Sequence, residues 1–173
     1  MTFRIRELKP TSPSELDTVT RWAMATPLES IPELEGSAAL ALAQWPNFTF
    51  GRMRAMFAES LPKPSHRFLV AEGPDGQLVG HSMIFHKVDD DGRPYGYFFT
   101  RYVLPAHRRL GAASALMAEA LAWFGHLDLA YLQAHTHATN VALQRLYARH
   151  GFSIVGGQAE PWPTVELRRP AGT

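Results

Sequence analysis

The stretch from Arg101 to Ser114 holds residue types suited to binding a small polyanion. Arg101, His107, Arg108 and Arg109 crowd cations into it, and the small run Gly111-Ala112-Ala113-Ser114 follows. Pro105 cannot donate a ladder hydrogen bond, so a strand ends there. The alanine-rich sequence from Gly111 onward predicts a helix start. The first turn of a helix leaves its backbone N–H groups unpaired and carries about half a positive charge. Small side chains let an oxyanion approach those amides, and arginines add charge-assisted contacts. Strand, loop and helix N-terminus together predict a phosphate cradle. A Walker loop would end in Gly-Lys-Ser/Thr and a dinucleotide fingerprint would need three glycines; the segment has no lysine and only Gly111.

Proton chemistry has fewer candidates. Tyr147 and Asn140 lie seven residues apart, two helical turns, and so share one face of a helix. Taken alone, a tyrosine there reads as a half-buried helix aromatic. His135 and His137 alternate on one face of a strand, and a pKa near 6.5 suits a base; the competing expectation is a pair of hydrogen-bonded or solvated strand-end histidines. Glu29, Glu33 and Glu35 fall in an irregular region, where they could bind a cationic acceptor or be solvated; solvation is the expectation. Trp45, Phe48, Phe50 and Met53 read as core before they read as pocket. Asp89-Asp90-Asp91 reads as a solvated hairpin turn, because the alternating ligands and distal glutamate of a calcium loop are missing. His66, His81, His86 and His126 have no metal-ligand spacing, and no metal is expected.

The elements that must position these residues follow from periodicity. Phe3 to Leu8 alternates apolar and polar as a strand does. A helix opens at Pro13-Ser14, with Leu16, Val19, Trp22 and Ala23 on one face. Thr26 to Pro64 is proline-interrupted, with short helices at Ser37–Gln44 and Arg52–Glu59. Phe68–Ala71 and Gln77–Val88 flank the turn Gly73-Pro74-Asp75-Gly76 and predict a hairpin. Tyr97 to Leu104 is the next strand, Gly111 to Phe124 a helix, and Leu129 to Thr136 a buried strand. Asn140 to His150 is a helix with Asn at its start and Gly151 past its end. Phe152–Gly156 and Val165–Arg168 are closing strands. The order predicts an α+β (mixed α/β) sheet with helices packed on it.

The 173 residues, 46% hydrophobic and 19% charged, suit one globular domain spanning 1–173. A net charge of +1 offers no broad basic field, so nucleic acid is not an expected partner. There is no cysteine, which excludes disulfides, thiolate metal sites and a cysteine acyl-enzyme. Met1 to Pro10 lacks an apolar signal core, and no run reaches the roughly 20 apolar residues of a membrane span. A cytoplasmic location without membrane association is the expectation.

Two segments carry a family resemblance. Arg108-x-x-Gly111-x-Ala113, preceded by Val103-x-Pro105, resembles the acetyl-CoA signature of the GNAT superfamily of N-acetyltransferases, Gln/Arg-x-x-Gly-x-Gly/Ala. Asn140 followed by Leu146-Tyr147 and Gly151-Phe152 is similar to that superfamily's second hallmark, with Leu143 standing where alanine is usual. The resemblance covers roughly residues 97 to 156. It implies a strongly twisted mixed sheet of about six or seven strands flanked by about four helices, with CoA at a splay between two parallel strands. It divides the chain into an acceptor-side part (1–66) and an acetyl-CoA-binding core (67–156). By the same resemblance Val103 pairs with the pantetheine arm, and Arg108, Arg109, Leu110, Gly111, Ala112, Ala113 and Ser114 hold the pyrophosphate. Asn140 meets the pantetheine or orders the strand ends, and Tyr147 lies near the thioester sulfur.

The implied reaction is acetyl transfer from acetyl-CoA to a small-molecule or peptide primary amine by direct attack in a ternary complex. Tyr147 is the expected general acid. Family members often carry a Glu or His base on the strand before the loop. Here Tyr97-Phe98-Phe99-Thr100-Arg101-Tyr102 has neither, which leaves His135 as the base candidate. A non-catalytic acyl-CoA binding or sensing module of the same fold is the alternative. Homodimers are common among such proteins.

Overall fold

The computed structural model describes residues 2–172. In chain order the elements are β1 (Arg4–Glu7), α1 (Pro13–Ser30), α2 (Ala38–Gln44), α3 (Phe50–Ser60), β2 (His66–Glu72), β3 (Leu78–Val88) and β4 (Pro94–Val103). There follow α4 (Ala112–Phe124), β5 (Tyr131–His137), α5 (Val141–Ala148), β6 (Ser153–Gln158) and β7 (Thr164–Pro170). Single 3-10 turns occupy Pro32–Leu34 and Pro105–His107. One seven-stranded sheet runs in the order β1-β2-β3-β4-β5-β7-β6. Every neighbouring pair is antiparallel except β4 and β5, which are parallel. The mixed sheet agrees with the sequence expectation, with five α-helices among the described residues instead of about four.

Period-two alternation supplies both faces of the sheet. On β2, Leu69 and Ala71 join one core with Ile84, Phe98, Leu116, Met117, Ala120 and Phe124, which seats α4. Phe68 and Val70 point the other way and pack with Met83, Leu16, Val19 and Phe57, which seats α1 and α3. Full burial of a ring such as Phe57 is worth about 1.5–3 kcal/mol. Gly96 lets α4 lie close: a Cβ there would stand 2.6 Å from the Phe124 ring and 2.7 Å from Leu132.

Local caps set the helix starts. Ser12, Ser37, Thr49 and Asn140 each accept a backbone N–H through the side-chain oxygen. Helix α1 departs from expectation by running on through Pro27 to Ser30. Pro27 brings no N–H to the last turn, while Thr26 Oγ1 donates to the Trp22 carbonyl and the Ile31 N–H closes on Pro27. That extra turn carries Glu29 to the edge of β4. The Asp89–Gly92 turn between β3 and β4 is built as expected, with Asp89 accepting from the Asp91 and Arg93 amides. Among the described residues no helix is long and apolar enough to cross a membrane, and no cluster suited to a metal ion occurs.

Candidate functional site

The parallel pair β4–β5 is in register only from Tyr95–Tyr131 to Phe98–Ala134. Beyond that point both strands continue, to Val103 and His137, without pairing to each other. The cause is visible on the other side of β4. Met83 faces Thr100 and Ile84 faces Phe98, so Phe99 is an extra, bulged residue that turns the strand. The resulting splay opens into a cleft of about 1200 Å³. Its lining comes from the end of α1, the Trp45–Phe48 segment, β4, the loop after β4, the end of β5, α5 and Trp162.

The loop after β4 supplies the polar mouth. Arg109 has φ +63° and Gly111 has φ +101°, two left-handed residues bracketing Leu110. Such alternation turns successive amides to one side. The Ala115 N–H closes the first helical bond, onto Gly111. The N–H groups of Arg109 to Ser114 find no acceptor among the described residues. Arg109, Gly111, Ala113 and Ser114 face the cleft, whereas the Leu110 side chain is exposed and Ala112 is packed in the core.

Arg108 behaves differently from Arg109. Its Nε donates to the Val103 carbonyl at 2.9 Å and its Nη2 to Glu29 Oε2 at 2.6 Å. Tyr102 donates to the other oxygen of Glu29 at 2.6 Å. The expectation that Glu29 would be merely solvated is therefore corrected: the last turn of α1, invisible in the sequence pattern, brings it within reach of β4. Burial alone would raise the Glu29 pKa, but the bonds from Tyr102 and Arg108 outweigh it and hold the carboxyl below its usual value.

Tyr147 lies on the floor, 3% exposed, its ring edge-on to Phe98 and Phe152. Its hydroxyl accepts from Arg101 Nη2 at 3.1 Å, and the guanidinium stands 4.9 Å over its ring. Burial raises the Tyr147 pKa against the opposing pull of Arg101, so the phenol is protonated at neutral pH. Arg101 Nε and Nη1 are buried without a partner. Asn140 caps α5, its Oδ1 accepting from the Leu143 N–H at 3.2 Å, and also faces the cleft.

The two histidines of β5 part company. His137 is sealed in: the Thr139 N–H donates to its Nδ1, and its Nε2 lies 3.0 Å from Glu33 Oε2. This pair fastens the Pro32–Leu34 turn to β5, so Glu33 too is engaged and not simply solvated. His135 is exposed to the cleft, with Nδ1 hydrogen-bonded to the Tyr97 hydroxyl at 3.1 Å and Nε2 at 3.6 Å from Glu166. Burial pushes the Tyr97 pKa up to about 12.

Two features escaped the sequence reading. Arg101 was read only as part of a basic run, yet it is the side chain that meets Tyr147. Trp45, Phe48 and Met53 pack as expected, but they also line the cleft together with Trp162 from the β6–β7 connection; Phe50, expected in the core, is instead exposed and does not line the cleft. The tryptophan of Glu160-Pro161-Trp162 carries no local signal that would place it there.

Comparison with known proteins decides the family. Residues 37–152 match the sequence model of the acetyltransferase (GNAT) family. The chain belongs to that family. This GNAT-family chain is 29% identical over 124 residues to an aminoglycoside N(6')-acetyltransferase type 1 of Serratia marcescens, covering 69% of this chain and 85% of that one. It is 34% identical over 102 residues to an uncharacterised N-acetyltransferase of Mycobacterium bovis, covering 59% and 62%. In fold it is similar to the PaiA N-acetyltransferase of Thermoplasma acidophilum solved with coenzyme A, with TM-score 0.74, 15% identity, and coverage of 98% and 99%. It is also similar to the spermidine N-acetyltransferase of Vibrio cholerae solved with CoA and spermine, with TM-score 0.70, 17% identity, and coverage of 98% and 95%.

Proposed function

We propose that this GNAT-family protein transfers the acetyl group of acetyl-CoA to a primary amine by direct attack within a ternary complex. The observation that carries the reading is the row of acceptor-free amides from Arg109 to Ser114, opening onto the same cleft as the Tyr147 hydroxyl. Free amides at a helix start, with the Arg109 cation beside them, suit a pyrophosphate. The facing edges of β4 and β5, which part from each other beyond Phe98 and Ala134, suit an extended pantetheine arm, which would meet backbone at Val103 and the α5 start at Asn140. Arg108 serves the site by holding the loop to Val103 and α1. Residues 67–156 are thus the cofactor core, and residues 1–66 form the acceptor side of one functional domain. Amine acceptors are in keeping with the aminoglycoside and spermine of the named relatives.

In the step itself the acceptor nitrogen bonds to the thioester carbonyl carbon, the C–S bond breaks, and CoA leaves with the electron pair on sulfur. A thiol with pKa about 8.5 is more acidic than a phenol at about 10, so a proton gift from Tyr147 is a late event. The Arg101 N–H on the phenol oxygen eases that transfer by stabilising the negative charge Tyr147 would acquire. The acceptor must also lose a proton. His135, in the cleft and aligned by Tyr97, is the group of β5 suited to take it.

The test is calorimetric titration with CoA, followed by thiol-release measurement with acetyl-CoA across a panel of amines. Micromolar CoA binding with amine-dependent thiol release is expected. Failure to bind CoA would overturn the reading. Binding without turnover on any amine would identify a CoA-binding module instead.

A further inference from the structure

We infer that the acceptor is an amine on an aromatic or aliphatic body with no second positive charge; the inference rests on the acetyl-transfer reading above. A polyamine or an aminoglycoside carries several ammonium groups at neutral pH. Taking them out of water requires carboxylates or a comparable set of acceptors. Among the described residues that line the cleft, Glu29 is the only carboxylate, and both its oxygens are already engaged by Tyr102 and Arg108. Glu33 is spent on His137, and Glu166 lies against Arg168 and His135. The lining cations are Arg101, Arg108, Arg109 and Arg149. Of these, Arg101 sits beside the Tyr147 hydroxyl with no carboxylate near it. Its other charge neighbours are the buried His81, neutral with a pKa lowered to about 3 by burial, and His150. A second ammonium near the reacting nitrogen would therefore meet an uncompensated cation.

One part of the remaining wall is apolar. Trp45, Phe48 and Trp162 form a mutually packed aromatic group, with Trp45 and Trp162 rings 5.2 Å apart and edge-on. The exposed Phe99 ring of the β4 bulge and Met53 extend that surface along the cleft. Such a wall rewards a ring or alkyl chain in the body of the acceptor.

The deciding experiment measures thiol release at saturating acetyl-CoA with phenethylamine and hexylamine on one side and spermidine and kanamycin on the other. We expect kcat/KM for the two monoamines to exceed that for the two polycations by at least about tenfold. The reverse preference would overturn this inference while leaving acetyl transfer intact. No release with any of the four amines, in a protein that binds CoA, would overturn both. The Trp45→Leu variant adds an independent reading. It should raise KM for phenethylamine by about fivefold or more with kcat retained; an unchanged KM would remove the acceptor from the aromatic wall.

Discussion

The two halves of the cleft are built on opposite plans. On the side proposed for the cofactor much of the polar surface is backbone: a left-handed pair at Arg109 and Gly111, a helix start, and amides without acceptors among the described residues. These parts are contiguous in sequence. On the side proposed for the acceptor the surface is side chains gathered from distant places: Thr26 and Glu29, Trp45 and Phe48, Arg101, His135, and Trp162. Backbone recognition imposes a local pattern of small and left-handed residues, while side-chain recognition imposes none. That is why a loop and a helix start can announce a nucleotide-like ligand while the acceptor wall stays silent.

Four experiments probe this contrast. The largest effect should come from the floor where the two halves meet. Tyr147→Phe keeps the buried ring but removes the proton donor, and kcat should fall by about 10² to 10⁴ with CoA affinity unchanged. A rate near wild type would take the proton away from Tyr147. Next is the backbone plan itself. Gly111→Val places a β-branched residue at φ +101°, a conformation costing on the order of 1–3 kcal/mol. The loop must shift, and the CoA dissociation constant measured by calorimetry should rise about 5- to 100-fold. Retained affinity would mean that the left-handed turn is dispensable.

The third tests the layer behind the acceptor side. His81 is fully buried, stacked on Trp22, and neither ring nitrogen has a partner. Burial, with a smaller push from Arg101, lowers its pKa to about 3. Between the unfolded value near 6.5 and about 3 the unfolded chain therefore binds a proton that the native protein refuses, so stability falls as pH falls through that window. The slope is about 1.4 kcal/mol per pH unit for this one group. Denaturant unfolding of His81→Leu between pH 6.5 and 4.5 should lose stability less steeply than wild type; parallel slopes would show that His81 protonates without unfolding the protein.

The smallest effect concerns the strap across the two halves. The Arg108–Glu29 pair is close to half exposed on both sides, at 47% and 42%, so screening leaves it little net energy. Glu29→Gln should cost about 0–1 kcal/mol in thermal unfolding. A loss well above that would make the strap part of the framework that holds α1 to β4.

Much of the fold was legible in the chain. The apolar run Phe68 to Ala71, the Gly73–Gly76 turn, and the Asn140 cap with Gly151 beyond it each act over a few residues, where propensity and hydrogen-bonding rules apply directly. The extension of α1 past Thr26 was not legible, because Pro27 reads as a breaker until the last-turn hydrogen bonds are seen. The Phe99 bulge was also hidden, since a bulge is a relation between two strands and not a property of one.

By itself the sequence determined that a strand ends near Pro105 and a helix starts just past Gly111, and that Asn140 and Tyr147 share a helix face. Both follow from patterns within a few residues of one another. Only the tertiary structure decided that Arg108 binds Glu29 and Val103, leaving Arg109 beside the free amides, and that Arg101 meets Tyr147. It also separated two histidines of one strand, sealing His137 against Glu33 and leaving His135 open to the cleft. The physical reason is common to all of these: each depends on which partner another element brings within hydrogen-bonding distance, and no periodicity along the chain encodes that.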